Sequence, residues 1–138
     1  MPEENTLFHK ILTGEIPSDK VYEDEHIYAF LDINPVNIGH TLVIPKKFSR
    51  TLLEADEETI AHLFNGVTKI ARGVKEATKA DGINIMNNSE ASAGQEIFYT
   101  HIHIVPRFDG DGFTHWKGAR KYNSGEEQEV VKKIKKEL

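Results

Sequence analysis

Apolar and polar residues recur with two different periods along this chain, and the changes of period divide it into helices and strands. Between residues 56 and 78 the apolar residues return at steps of three and four, which predicts a long amphipathic helix. Short runs rich in β-branched and aromatic residues predict strands at residues 21–22, 27–31, 41–44, 82–86 and 98–105, the last ending before Pro106. Shorter helices are predicted at residues 6–13, with Leu7 and Ile11 facing inward and Phe8 and Leu12 as further candidates, and at residues 124–138, with Ser124 as N-cap.

The order of these elements is helix, three strands, long helix, two strands and helix. The first two strands flank the acidic turn Glu23-Asp24-Glu25 and are expected to form a hairpin. Short strands joined by tight turns, with helices that do not alternate with them one by one, predict an α+β fold on an antiparallel sheet. The 138 residues contain no internal repeat or linker, so we expect a single domain spanning residues 1–138.

Composition narrows the range of partners. The 17 basic and 22 acidic residues give a net charge of −5, so we expect no nucleic-acid partner unless a local basic patch exists. The basic run at residues 132–136 is balanced by neighbouring glutamates, which is typical of a solvated helix. The absence of cysteine excludes disulfides, thiolate nucleophiles and Cys-ligated zinc. No apolar run could span a membrane, and the start Met-Pro-Glu-Glu-Asn lacks a secretory pattern, so we expect no membrane partner and a cytoplasmic location.

The predicted strand at residues 98–105 carries the densest group of reactive side chains. Alternate residues of a strand share a face, so Tyr99, His101 and His103 are expected on one side and Ile102 and Ile104 on the other. At the normal rise per residue, the two imidazoles would lie about 6.5 to 7 Å apart. Three interpretations of this pair remain open: a solvated or structural pair, two ligands of a metal site, or a nucleophile for covalent catalysis.

Both chemical interpretations need further groups. A catalytic zinc site requires a third protein ligand, and His9, Asp32 and His40 are candidates by residue type, although no spacing selects one of them. Nucleophilic attack on phosphorus requires a free ring nitrogen and hydrogen-bond donors for the phosphate oxygens. The side chain of Gln95 and the backbone amides of the turn at residues 94–97 could supply those donors.

Five blocks of sequence, in this order, resemble the histidine triad (HIT) superfamily, in its Hint-like branch of nucleotide-binding proteins. They are Thr6-Leu7-Phe8-His9-Lys10-Ile11 with Glu15-Ile16-Pro17, Tyr22-Glu23-Asp24, Ala29-Phe30-Leu31-Asp32-Ile33-Asn34-Pro35, Gly39-His40-Thr41-Leu42-Val43-Ile44-Pro45-Lys46-Lys47, and Gly94-Gln95 through His101-Ile102-His103 to Arg107. The resemblance covers about residues 6–107 and leaves the loop and helix at residues 108–138 outside it. It implies a HIT-like antiparallel sheet, a homodimer, a purine nucleotide substrate and no cofactor.

The resemblance also implies roles for individual residues. His101 matches the nucleophile that attacks the α-phosphate, and His103 matches the histidine that hydrogen-bonds a phosphate oxygen. Asp32 matches the residue that holds the ribose hydroxyls, although it could also be a plain turn residue. Residues that match those flanking the base, and that would otherwise be taken as core, are Leu7, Phe8, Ile16, Leu31 and Ile33. Residues that match those contacting the phosphate are Asn88, Gln95, Glu96 and Ile97.

One position departs from the family pattern, because Tyr99 replaces the first histidine of the triad. A phenol has an ordinary pKa of about 10 and is a poor proton shuttle near neutral pH, so reduced or altered activity is expected. Some bacterial members of the family carry a zinc site, and the matching positions here are Thr6, His9, Phe48 and Tyr99, so we expect no zinc there.

Two functions follow from the resemblance. The first is a purine nucleotide-binding hydrolase or transferase that cleaves at the α-phosphate through a nucleotidyl-histidine intermediate. Its substrate would be a nucleoside phosphoramidate, a nucleotidyl adduct or a dinucleoside polyphosphate. The alternative is a nucleotide-binding module with weak or no turnover, because Tyr99 replaces the first triad histidine.

Overall fold

One antiparallel sheet organises the computed structural model, which describes residues 5–138. Its five strands are β1 (Lys20–Glu23), β2 (Ile27–Leu31), β3 (Thr41–Pro45), β4 (Gly82–Met86) and β5 (Ile102–Arg107), in the order β1-β2-β3-β5-β4. The α-helices are α1 (Leu7–Leu12), α2 (Glu57–Thr78) and α3 (Glu126–Glu137), so the predicted α+β fold and the hairpin of β1 with β2 are confirmed. Residues 1–4, which contain most of the segment assessed for a secretory signal, lie outside the described residues.

The long helix α2 covers one face of the sheet. Its N-cap is Asp56, whose carboxylate accepts a hydrogen bond from the Thr59 N–H at 2.8 Å. Gly66 lets the helix approach the sheet closely, because a Cβ at this position would lie 2.1 Å from Cδ1 of Ile27. The predicted apolar stripe packs against the strands, and the buried residues of this layer are Ile27, Ala29, Val43, Leu63, Val67, Ile70, Ala71, Val74, Ile102 and Ile104.

The opposite face of the sheet carries α1 and a cluster of aromatic side chains. Within α1, Phe8 and Ile11 are three residues apart and share one buried face, whereas Leu7 is 40% exposed. The expectation that Leu7 faces inward is therefore wrong, and Phe8, named as a further candidate, takes the inner position. The buried members of this cluster are Phe8, Ile11, Tyr28, Phe30, Leu42, Ile44 and Tyr99. Strand alternation thus separates the two faces, as predicted for β5.

The bounds of the histidine strand differ from the prediction. β5 begins at Ile102 rather than at residue 98, because the carbonyl of His101 accepts a hydrogen bond from the Asn87 side chain at 3.0 Å instead of a strand amide. The strand also continues through Pro106. Pairing with β3 stops at Ile104, and the Pro106 carbonyl accepts from the Asn37 side chain at 2.8 Å on that side. The missing N–H of proline therefore breaks no ladder bond.

The chain after β5 forms a turn, an extended segment and α3. All residues of α3 are exposed, including its lysines, which agrees with the solvated helix predicted from its charges. The helix begins at Glu126 with Gly125 as its N-cap, so the prediction of Ser124 as N-cap is wrong. Gly125 has a φ of 87°, a conformation that glycine adopts without steric cost. Within residues 5–138, none of the helices has the length and apolar character needed to cross a membrane.

Candidate functional site

A cavity of about 890 Å³ opens on the face of the sheet that α2 does not cover. Its floor is formed by side chains of β5 and its neighbours, and one wall is formed by α1. This volume lies within the range of small-molecule sites. The structure brings most of the predicted site residues to this cavity, namely Leu7, Phe8, Ile16, Leu31, Asp32, Ile33, Asn88, Glu96, Ile97, His101 and His103.

His101 is held with one ring nitrogen fixed and the other available. Its Nδ1 lies 2.7 Å from the carbonyl oxygen of Tyr99, and because a carbonyl can only accept, Nδ1 carries the proton. In the neutral ring Nε2 is then unprotonated. Burial lowers the pKa of His101 from its ordinary value of 6.5 to about 4, although the bond to the Tyr99 carbonyl opposes this shift. The imidazole is therefore neutral at physiological pH, which is the nucleophilic form.

His103 belongs to a chain of hydrogen bonds that determines its tautomer. The Val36 N–H donates to Nδ1 of His40 at 3.1 Å, so the proton of neutral His40 is on Nε2. That Nε2–H donates to Nδ1 of His103 at 2.9 Å. The proton of His103 is consequently on Nε2, which makes it a hydrogen-bond donor for a ligand in the cavity. Burial, with the neighbouring His40, lowers the pKa of His103 below its ordinary value.

The same group of side chains has the residue types of a metal site. Within the described part of the chain, Asp32, His40 and His103 offer three ligand atoms that all lie within 4.8 Å of one another. Coordination through Nε2 of His40 would require the proton to move to Nδ1, where it would meet the N–H of Val36. The group therefore fits a hydrogen-bond chain better than a metal centre.

Asp32 stabilises a turn and also borders the cavity. Its Oδ1 accepts a hydrogen bond from the Asn34 N–H at 2.8 Å, which closes the turn that the sequence predicts. Its Oδ2 lies 3.7 Å from Nε2 of His40 and borders the cavity. One carboxylate oxygen is thus used by the turn, and the other is available beside the two imidazoles.

Apolar side chains form the wall of the cavity next to His101. The ring of Phe8 meets the His101 ring edge-on, with 4.8 Å between their centroids, and Ile16 and Leu31 extend this wall. Ile33 is 84% exposed at the cavity mouth. The two imidazole centroids are 5.0 Å apart, closer than the predicted 6.5 to 7 Å, and the angle between the two ring planes is 62°.

Two predicted residues are absent from the cavity lining. Gln95 is buried, and its side chain donates to the carbonyls of Arg50 and Ile97 and accepts from the Glu90 N–H, at 2.8, 3.1 and 2.8 Å. Tyr99 is fully buried, and its hydroxyl donates to the Pro45 carbonyl at 2.6 Å. Gln95 therefore shapes the loop that carries Glu96 and Ile97, while Tyr99 joins the end of β3 to the segment before β5.

The cavity also contains residues that sequence reasoning did not assign to it. His40 was considered only as a possible metal ligand, and its position directly before β3 was the available signal. Asn84 on β4 and the segment at residues 113–116 also border the cavity. The alternation of β4 could have suggested Asn84, whereas residues 113–116 follow a turn rich in glycine and aspartate that has no periodic pattern.

Comparison with known proteins gives consistent matches across the chain. The family model described as HIT domain matches residues 13–110. The protein named Protein hit of Bacillus subtilis (strain 168) is 46% identical over 138 residues, which cover 98% of this chain and 95% of that protein. Adenylylsulfatase HINT3 of Arabidopsis thaliana is 41% identical over 109 residues, which cover 79% of this chain and 55% of that protein.

A solved structure extends the match to the whole fold. The crystal structure of SMU.412c from Streptococcus mutans UA159 superimposes with a TM-score of 0.92 at 46% sequence identity, covering 99% of this chain and 87% of that chain. The match includes the segment after residue 110, which the family model does not cover. The chain therefore belongs to the histidine triad (HIT) superfamily, whose members are generally nucleotide-binding hydrolases and transferases.

Proposed function

We propose that this protein cleaves purine nucleotide derivatives at the α-phosphate through a covalent nucleotidyl intermediate on His101. The observation that carries the proposal is the neutral His101 ring, whose Nδ1–H is bound to the Tyr99 carbonyl and whose Nε2 is unprotonated, in a cavity that Asp32 also borders. The substrate classes are nucleoside phosphoramidates, nucleotidyl adducts and dinucleoside polyphosphates. The similarity to a relative named an adenylylsulfatase supports an adenylyl group as the transferred unit.

The reaction has two displacement steps at phosphorus. In the first, Nε2 of His101 attacks the α-phosphorus, a bond forms between nitrogen and phosphorus, and the bond to the leaving group breaks. An amine leaving group takes up a proton from solvent. In the second, water attacks phosphorus, releases the imidazole and loses a proton to solvent, so the products are the nucleoside monophosphate and the free amine. His103 donates its Nε2–H to a phosphate oxygen in both steps.

The nucleoside would lie between α1 and the end of β2. The free Oδ2 of Asp32 would accept hydrogen bonds from the ribose hydroxyls, and the wall that contains Phe8 and Ile16 would flank the base. Asn88, Glu96 and Ile97 border the same cavity near the expected phosphate. The side chain of Gln95 would act by hydrogen bonding to the backbone of neighbouring residues. Gln95 would thus position this loop and would not touch the substrate.

The binding-module alternative is not favoured. It depends on Tyr99 occupying a position where a histidine would contact the substrate. The Tyr99 hydroxyl instead bonds to the Pro45 carbonyl beneath the aromatic cluster, outside the cavity lining. His101 and His103, which carry the proposed chemistry, both border the cavity. The geometry therefore gives no reason for Tyr99 to prevent turnover.

The proposal is tested by trapping the intermediate. The protein is mixed with adenosine 5′-phosphoramidate, quenched within milliseconds to seconds, and examined by intact mass spectrometry for an adenylyl adduct. We expect the adduct in the wild type and its loss in His101→Ala, with turnover reduced by at least about a hundredfold. His62→Ala, a substitution of a half-exposed histidine of α2 that does not border the cavity, is the matched control and should retain both. Unchanged turnover in His101→Ala would remove His101 from this role.

Three further expectations belong to this proposal. We expect a homodimer, which light scattering coupled to size-exclusion chromatography would test. We expect a cytoplasmic location, which fractionation of the source cells would test. We also treat the chain as one domain, with the catalytic core at residues 6–107, so limited proteolysis should leave that core as the stable fragment.

A further inference from the structure

A second group of reactive side chains lies where the turn between β1 and β2 meets the start of α2. The rings of His26 and His62 are stacked there, with 3.6 Å between their centroids and 8° between their planes. His26 directly precedes β2, and His62 lies in the second turn of α2. Neither residue borders the cavity that contains His101. The pair therefore belongs to a different part of the surface from the proposed catalytic site.

The stacked rings border a small depression with carboxylates around them. The depression has a volume of about 160 Å³. Glu58 lies one helical turn before His62, and its Oε1 is 3.8 Å from Nε2 of that histidine. Glu25, next to His26 in the turn, borders the same depression. Side chains with nitrogen and oxygen ligand atoms thus converge here from two separate elements.

The backbone holds the two histidines side by side. The Asp24 carboxylate accepts a hydrogen bond from the His26 N–H at 2.8 Å, and the His26 carbonyl accepts one from the Lys46 N–H at 2.8 Å. His62 belongs to a 22-residue helix that is capped by Asp56. None of these contacts uses an imidazole ring, so the rings can rotate while their Cα positions stay fixed.

The ring nitrogens of this pair are available for a ligand. Among residues 5–138, neither ring has a hydrogen-bond partner, and the polar contact of His62 is the one with Glu58. The His62 side chain is 40% exposed, which leaves it room to change rotamer. Imidazole nitrogen is a preferred ligand of Zn²⁺, Ni²⁺ and Cu²⁺, and a carboxylate can complete such a site.

The charges around the depression favour a cation over an anion. Lys46 lies 2.7 Å from the carboxylate of Glu23, and Lys47 forms an ion pair with Asp56. The two lysines are therefore already neutralised and have little capacity to bind a phosphate. Within the described part of the chain, Glu58 has no ion pair with a lysine or an arginine, so its negative charge can serve a bound cation.

We propose that His26, His62 and Glu58 form a binding site for a divalent transition-metal ion, of which Zn²⁺ is the probe, with water completing the coordination. Two imidazole nitrogens bound to one tetrahedral Zn²⁺ at about 2.0–2.1 Å lie roughly 3.3 Å apart. Rings that are already in contact reach this arrangement by rotating out of the stack. The bound ion links the turn between β1 and β2 to α2.

Calorimetric titration of the metal-free chain with ZnCl₂ tests the ligands. The variants His26→Phe and His62→Phe keep an aromatic ring in the stack but cannot bind a metal, so each should weaken Zn²⁺ binding by at least about tenfold. Glu58→Gln should weaken it to a smaller extent. Glu57→Gln, the same substitution at the adjacent exposed position, should bind as the wild type does. Unchanged affinity in both phenylalanine variants would overturn the proposal.

A second measurement separates this site from the group of Asp32, His40 and His103, which also has metal-ligand types. Paramagnetic Cu²⁺ broadens the NMR signals of nuclei close to it. We expect the amide signals around His26 and His62 to disappear at lower Cu²⁺ concentration than those around His103. The reverse order would place the ion in the catalytic cavity and would overturn the proposal.

Thermal unfolding tests the link between the two elements. Zn²⁺ at about 100 times its Kd should raise the Tm of the wild type by about 5–10 °C, because the ion binds only the folded chain. The double variant His26→Phe/His62→Phe should show no such rise, and His62→Ala replaces it as the informative variant if it does not fold. An equal rise in wild type and variant, or none in the wild type, would overturn the site and leave the proposed function intact.

Discussion

The backbone at Glu90 is strained, and relieving this strain should measurably change stability. Glu90 has φ 76° and ψ 157°, a region that is almost restricted to glycine. A residue held there costs about 1–3 kcal/mol, and such strain tends to occur at functional loops. Glu90 lies in the loop between β4 and β5, which also carries Asn88 and Glu96 at the cavity.

The surrounding groups explain why Glu90 stays in this conformation. Its N–H donates to Gln95 Oε1 at 2.8 Å, and its carbonyl accepts from the Gln95 N–H at 3.1 Å. Its carboxylate pairs with Arg50 at 2.6 and 2.7 Å. Both charged side chains are more than a third exposed, so this ion pair stabilises the fold by less than about 1 kcal/mol. The buried Gln95 side chain therefore provides most of the restraint.

Comparison of Glu90→Gly with Glu90→Ala isolates the strain, because both substitutions remove the ion pair. Glycine accepts the native φ but raises the entropy of the unfolded chain by an equivalent of about 0.4–1 kcal/mol. We therefore expect Glu90→Gly to be more stable than Glu90→Ala by about 1–2 kcal/mol, or roughly 4 °C in Tm for each kcal/mol. Urea and thermal unfolding measure both quantities. The order should reverse at exposed Glu76 in α2, where Gly is about 1 kcal/mol worse than Ala.

Equal stability of Glu90→Gly and Glu90→Ala would refute the strain argument. It would mean that the loop relaxes to an ordinary conformation when the carboxylate is removed, and that the Gln95 bonds do not fix the backbone by themselves. A stable Glu90→Gly variant with a raised KM for adenosine 5′-phosphoramidate would have a different meaning. In that case the strained loop preorganises the phosphate-contacting side of the cavity, and its relief is gained at the expense of substrate binding.

Four further outcomes are expected. The pKa of His101 is about 4 in the folded state and 6.5 as its ordinary value, so the unfolded state binds more protons between these pH values. The free energy of unfolding should therefore fall by about 3 kcal/mol as the pH falls from 6.5 to 4. Urea titrations of the wild type and His101→Asn measure this, and an equal slope in both would contradict it. Tyr99→Phe should lower the free energy of unfolding by about 1–2 kcal/mol, because the Pro45 carbonyl loses its hydrogen-bond donor. Turnover in the same phosphoramidate assay should stay within about threefold of the wild type. A large loss of turnover would instead give the hydroxyl a chemical role. Gln95→Ala should lower the free energy of unfolding by about 2–3 kcal/mol in urea, because buried backbone groups lose their hydrogen-bond partner. Gln128→Ala, at an exposed position, should have a negligible effect. Gly66→Ala should be about 1–3 kcal/mol less stable than Gly73→Ala by thermal unfolding. The added Cβ meets Ile27 at position 66, whereas it meets open space at position 73. Equal stabilities would show that Ile27 moves aside.

Local patterns in the sequence were sufficient for most of the fold. The long helix was predicted because its apolar steps match the helical repeat, and the Asp56 cap marks its start within one residue. β4 was predicted with its observed bounds. The histidine strand was displaced by four residues at its start, because Asn87 takes the His101 carbonyl from a position 14 residues away. A side chain that replaces a ladder bond leaves no trace in the period-2 pattern.

From alternation and spacing alone, the site is predictable only where its residues lie close together in the sequence. Distant members of the cavity lining such as Phe8 and Asp32 follow from the family resemblance instead. His101 and His103 share a strand, so their common orientation followed from alternation alone. The tautomer of His103 did not follow, because it depends on His40, 63 residues earlier in the chain, and on the backbone of Val36. The hydrogen bonds of the Gln95 side chain to the backbone did not follow either, because a glutamine beside a turn can equally contact a ligand or the backbone.

The register of β5 connects the packing of the core to the chemistry of the cavity. Ile102 and Ile104 are completely buried against α2, and each contributes on the order of 2 kcal/mol through burial of its side chain. A shift of pairing by one residue would turn these side chains toward the cavity and would bury both imidazoles under α2. The apolar face of the strand therefore fixes the orientation of His101 and His103.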